Sequence, residues 1–158
     1  MMTMSDKNIL VLGLGNLLLS DEGVGIHVIR ELQKRSLPEN ILLMDGGTGG
    51  FELIRYFPGK EKVIIIDAMK TEQKPGSVFR MTPDELDLKD YHPFSSHQGG
   101  LNELLKEINN LNPMPEIIIY GIAVREVGQY NMNLSRDVKR IIPVLISLII
   151  RELDNGMN

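Results

Sequence analysis

Short apolar runs recur along the chain, at Ile9 to Leu12, Ile41 to Met44, Val63 to Ile66 and Ile117 to Ile122. Uninterrupted runs of this length fit strands buried on both faces of a parallel sheet. Val63 to Ile66 is entirely β-branched, which makes it the best candidate for a central strand. Between the runs the apolar spacing changes to that of helices. Val24, Val28 and Leu32 lie four apart; Leu101, Leu104, Leu105 and Ile108 follow the i, i+3, i+4, i+7 pattern; Val138, Ile141, Ile142, Leu145 and Ile149 share one face behind a Ser135 cap. Pro143 falls inside this last helix and is predicted to bend it, because it removes a backbone donor and crowds the preceding turn. Phe51, Ile54 and Phe57 predict another helix, ended by Pro58 and Gly59.

Two segments depart from the alternation. Gly76 to Met81 follows the third strand with too little chain for a crossover helix, so it is predicted to be a neighbouring antiparallel edge strand. Thr82 to Ser96, with Pro83, Pro93 and many acids, is predicted to be a long surface connection. Connections of that length are often functional, and its place before His97 suggests substrate contact. Strands alternating with helices imply an open, mostly parallel sheet covered on both faces, a three-layer α/β/α sandwich. Ligands of such sheets bind beyond the carboxyl ends of the strands.

At 158 residues the chain is expected to form one domain, 1–158. Its net charge of -4 carries no basic excess and argues against nucleic acid as the main partner. There is no cysteine, so thiol nucleophiles, thiolate metal sites and disulfides are excluded. The N-terminal MMTMSDKN lacks the pattern of a signal peptide. The longest apolar run, Ile141 to Ile150, is broken by Pro143 and is far short of the ~20 residues a bilayer requires. A cytoplasmic protein without a membrane partner is expected. With no coiled-coil seam, a monomer is the default.

The segment Asn8 to Gln33 reads as strand, glycine turn and helix, with Gly13 and Gly15 at the turn. A dinucleotide loop would need a third glycine where Leu18 stands, and bare amides where Asp21 and Glu22 stand. Those departures weigh against the rival reading, a non-catalytic nucleotide or small-molecule binding module. Glu22 alone is explained by the dipole of the helix it precedes, and Asp45 and Asp67 by turn chemistry. Together with His97 the picture changes. If the strands ending in Gly13, Asp45 and Asp67 are parallel, their ends share one sheet edge, and Glu22 and His97 reach it too. Glu22, Asp67 and His97 offer two carboxylates and an imidazole, a donor set for a borderline divalent ion such as zinc or nickel with open positions. A two-metal aminopeptidase would demand further ligands. Ser95 and Ser96 lack the G-x-S-x-G elbow of a serine hydrolase.

Several blocks taken in order, Gly13-Leu14-Gly15-Asn16 with Leu19 to Gly25, Asp45 to Thr48, Ile66-Asp67-Ala68, Ser96-His97-Gln98 with Gly100-Leu101, and Tyr120-Gly121-Ile122, resemble the endopeptidases that mature nickel-iron hydrogenases. The resemblance spans nearly the whole chain. It implies a sandwich with a five-stranded sheet, and removal of a short C-terminal peptide from the hydrogenase large-subunit precursor after nickel insertion. It also implies that Glu22, Asp67 and His97 contact metal and that Asp45 handles substrate or cleavage, so that Asp45 and Asp67 are the candidate catalytic residues. The cofactor it implies is nickel presented by the precursor, with other divalent ions able to occupy the same place. Two roles are open for that ion: a recognition mark, or a Lewis acid at the scissile carbonyl.

Overall fold

The computed structural model describes residues 2–88, 92–93, 100–125 and 130–155. Its sheet contains β1 (Ile9–Leu14), β2 (Ile41–Gly47), β3 (Lys62–Lys70), β4 (Val78–Met81), β5 (His92–Pro93) and β6 (Glu116–Ala123). The order is β2-β1-β3-β6-β4, with β5 paired to the end of β3. β2, β1, β3 and β6 run parallel, and β4 and β5 are antiparallel to their neighbours. Every residue of β1 is buried, as is β3 from Lys62 to Met69. The β-branched run thus lies where burial on both faces rewards it most.

Alternation along the strands divides the core in two. Ile64, Ile66 and Ala68 of β3 face α1 (Val24–Gln33) and α4 (Arg136–Asn155). Val63, Ile65 and Met69 face α3 (Leu101–Ile108) and the 3-10 segment Gly50–Tyr56. The three-layer expectation holds.

Four details differ from the sequence reading. The sheet has six strands instead of five, because the two residues of β5 lengthen it. β4 is an antiparallel edge strand as expected, but it neighbours β6 instead of β3. The order of strands in a sheet is decided by packing of the crossover helices, which loop length does not report. The segment after β2 is a 3-10 helix, Gly50–Tyr56; the three-residue spacing of Phe51, Ile54 and Phe57 matches the 3-10 period. Finally, the connection after β4 contains a short helix, α2 (Pro83–Leu88). Thr82 and Glu85 form its capping box, with Glu85 N–H donating to Thr82 Oγ1 at 3.4 Å and Thr82 N–H donating to Glu85 Oε1 at 3.4 Å. Pro83 occupies the first helical position, where it is favoured.

The long closing helix is capped as expected, with Val138 N–H donating to Ser135 Oγ at 3.5 Å. It runs without interruption through Pro143, which lies on its exposed side. A missing donor there leaves a carbonyl to water instead of to the core.

Candidate functional site at the carboxyl edge of the sheet

β1 ends in Leu14, and the chain turns through Gly15 into a 3-10 turn, Ser20–Gly23, which leads directly into α1. Gly15 has φ 139°, and a Cβ there would collide with the carbonyl oxygen of Glu22. Gly25, in the first turn of α1, lies against the Leu14 and Ile66 carbonyl oxygens with no room for a Cβ. The glycines therefore do not make space for a phosphate. They let the turn that carries Glu22 lie down on the carboxyl ends of β1 and β3.

Asp67 is wholly buried and lies inside β3, three residues before its end. It shares the Val63, Ile65, Met69 series, so it faces the α3 side of the sheet. The Ser20–Gly23 turn packs against β3, which puts the Glu22 segment and the Asp67 strand in contact. Asp45 is exposed near the end of β2, and its Oδ1 accepts the Gly47 N–H at 3.0 Å. In register it aligns through Gly13 with Ile66, so it shares the α1 side of the sheet. β2 and β3 are separated by β1, a lateral distance of about 10 Å. The two aspartates share the sheet edge, as expected from sequence, but they stand on opposite faces of it.

His97 lies outside the described residues, as do the 89–91 and 94–96 parts of the connection expected to contact substrate. Among the described residues, no three His, Asp or Glu side chains gather closely enough to hold an ion. His27, on α1, has its Nε2 buried without a hydrogen-bond partner among the described residues. Burial, followed by the charge of Arg30, pushes its pKa down, so this imidazole favours the neutral form.

In sequence Asp21 and Glu22 form one acidic pair. The structure separates them. Asp21 is 1% exposed, and its Oδ1 accepts the Ser135 N–H at 2.7 Å, at the start of α4. Next to it Ser20 adopts φ 50°, a left-handed conformation that costs a non-glycine residue about 1 kcal/mol. Its amide donates to the Asn131 carbonyl, and its hydroxyl donates to the Asn133 carbonyl at 2.7 Å. Asn131 N–H returns a bond to Leu18 O at 2.8 Å. Residues 131–135 are thereby strapped along the turn that presents Glu22. Nothing local in the sequence marks these partners, which lie 113 and 114 residues away.

A second buried group lies on the α1/α4 side. Glu152 accepts from Lys62 Nζ at 2.8 Å, from Tyr120 OH at 3.0 Å and from Arg80 Nε. The Arg80 hydrogen bond contributes most to holding its carboxyl at about 2. This cluster ties the last turns of α4 to β3, β4 and β6 and stands apart from the Glu22 turn.

A family model for hydrogenase maturation proteases matches residues 26–152. The coenzyme F420 hydrogenase subunit delta of Methanothermobacter thermautotrophicus is 30% identical over 156 residues, covering 94% of this chain and 96% of that one. The hydrogenase 2 maturation protease of Escherichia coli is 29% identical over 147 residues, covering 92% and 90%. Among solved structures, the hydrogenase maturating endopeptidase HybD of Escherichia coli superimposes with a TM-score of 0.84 at 27% identity, covering 95% of this chain and 94% of that one. The [NiFe] hydrogenase maturation protease HybD of Thermococcus kodakarensis gives 0.73 at 29% identity, covering 91% and 97%.

Proposed function

The chain belongs to the hydrogenase maturation protease family, and from that premise we propose that this endopeptidase removes the C-terminal extension of a nickel-loaded [NiFe] hydrogenase large-subunit precursor. Glu22 and Asp67, with His97, contact the nickel that the precursor already carries. Two carboxylates and an imidazole suit a borderline divalent ion and leave positions for the precursor's own ligands. Asp45 acts as the general base. It takes a proton from a water whose oxygen adds to the scissile carbonyl carbon; the C–N bond then breaks and the departing amine takes up a proton.

The observation that carries this division of labour is the placement of the acids. Asp67 is buried on one face of the sheet, and Asp45 is exposed on the other, about 10 Å away across β1. A metal held at Asp67 and a base at Asp45 thus belong to opposite faces of the sheet, which favours nickel as a recognition mark over nickel as a Lewis acid. The rival reading of a nucleotide-binding module loses its support, because the glycines it relied on are filled by the Glu22 turn.

The test is the intact mass of a nickel-loaded, C-terminally extended large subunit before and after incubation with the protein, beside a nickel-free control. Loss of a C-terminal peptide from the loaded form alone is expected. Cleavage of both forms alike would refute nickel recognition, and cleavage of neither would refute the activity. Asp67→Asn is expected to abolish precursor binding as well as cleavage. Retained binding without cleavage would place the metal in the chemistry instead.

A further inference from the structure

The two outer strands of the sheet are unlike. β4 has only four residues, Val78–Met81, and carries Arg80, features that blunt an edge against pairing with other chains. β2 has seven residues, and Ile41 to Met44 contains neither charge nor proline. Among the described residues no strand pairs with its outer side.

The backbone parity of that side follows from the ladder. Ile9 N–H donates to Asn40 O at 3.2 Å, and Ile9 is the register partner of Ile41. In a parallel ladder this turns the amides and carbonyls of Leu42 and Met44 toward β1, and those of Ile41, Leu43 and Asp45 outward. The Ile41 N–H is taken by Pro38 O at 3.2 Å. The outward array is therefore the Ile41 carbonyl, both groups of Leu43 and the Asp45 N–H. These alternate at the two-residue repeat of an extended chain, about 7 Å.

We propose that this edge binds the precursor segment containing the scissile bond as an added β-strand. The inference rests on the endopeptidase reading above, and it names how that substrate is held. Backbone groups at strand spacing are complementary to one kind of partner, an extended polypeptide. The edge also leads to Asp45, the candidate base. An added strand would lie about 4.8 Å from β2, so its peptide bonds would pass beside the Asp45 carboxylate within reach of one intervening water. The half-buried side chains of Leu42, Leu43 and Met44 would flank it, favouring apolar residues at alternate positions. Proline facing Leu43 would be excluded, for want of a donor.

Residue-resolved hydrogen exchange on the intact protein tests this, using a synthetic peptide that spans the cleavage region of the precursor. At saturating peptide the amides of Leu43 and Asp45 are expected to slow at least about tenfold, the equivalent of one net hydrogen bond. Those of Leu42 and Met44, already in the ladder, should change little and serve as the internal control. Unchanged exchange at Leu43 and Asp45 would overturn the proposal. So would protection that rises with protein concentration alone, which would assign the edge to a second copy of this chain. Exchange reads binding, so the proposal can fail while processing of the precursor succeeds, and the reverse. In the processing assay, Leu43→Pro should raise KM about tenfold with kcat unchanged, beyond the effect of the packing control Leu43→Ala. Equal KM values for the two variants would count against the edge.

Discussion

Asp21 and Glu22 are adjacent and chemically alike, yet Asp21 is a buried acceptor in the structure while the proposed function gives Glu22 the metal contact, so substituting each should separate stability from function. Asp21 is 1% exposed and holds Ser135 N–H at 2.7 Å. A hydrogen bond to a charged group contributes about 1.5–3 kcal/mol, so Asp21→Ala should lose about 2 kcal/mol. Asp21→Asn keeps an oxygen acceptor and loses only the charge beside the start of α4, worth about 0.3–1 kcal/mol; it should therefore be largely stable and should process precursor. Glu22→Gln keeps the size and shape of a half-buried side chain and should cost less stability than Asp21→Ala. Its processing rate should nevertheless fall at least about a hundredfold, since even residues that only support a metal ligand cost up to that much. The chain has no tryptophan, so urea denaturation is best followed by far-UV circular dichroism, alongside single-turnover processing of nickel-loaded precursor. Glu22→Gln as unstable as Asp21→Ala would refute the division, as would Asp21→Asn that is folded but inactive.

The Glu152 cluster predicts a pH dependence. Its carboxyl lies at about 2 in the folded protein against an ordinary 4.5, so its contribution to stability is present above 4.5 and is lost as the pH falls toward 2; at about 1.4 kcal/mol per unit the whole effect is about 3 kcal/mol. In denaturation from pH 7 to pH 2.5, the stability gap between the parent and Glu152→Gln should shrink by most of that amount, and a gap constant with pH would exclude the cluster as its source. Gly25→Ala should destabilise by about 1–3 kcal/mol despite alanine's higher helix propensity, because its Cβ meets the rigid carbonyls of Leu14 and Ile66; unchanged urea denaturation would show that α1 can move. Asp45→Asn should lower kcat for processing by about 10²–10⁴-fold and leave precursor binding intact; a parental rate would remove Asp45 from the chemistry.

Much of this was legible in the sequence, because local patterns report local causes. Alternation between β-branched runs and helical spacing fixed the strands, the helices and the three layers, since each pattern buries its apolar residues in only one kind of element. The glycine turn was legible as a close approach, and the capping box at Thr82 to Glu85 was also present to be read. The tertiary structure decided what depends on partners distant in sequence. Strand order placed β4 beyond β6, because crossover packing and not loop length sets neighbours. Register put Asp45 and Asp67 on opposite faces, since a shift of one residue along a strand reverses its side chains. The same is true of the acidic pair: only the strap from residues 131–135 makes Asp21 a structural anchor and leaves Glu22 as the candidate for metal contact. A carboxylate's role follows from what surrounds it, and here those surroundings come from more than a hundred residues away.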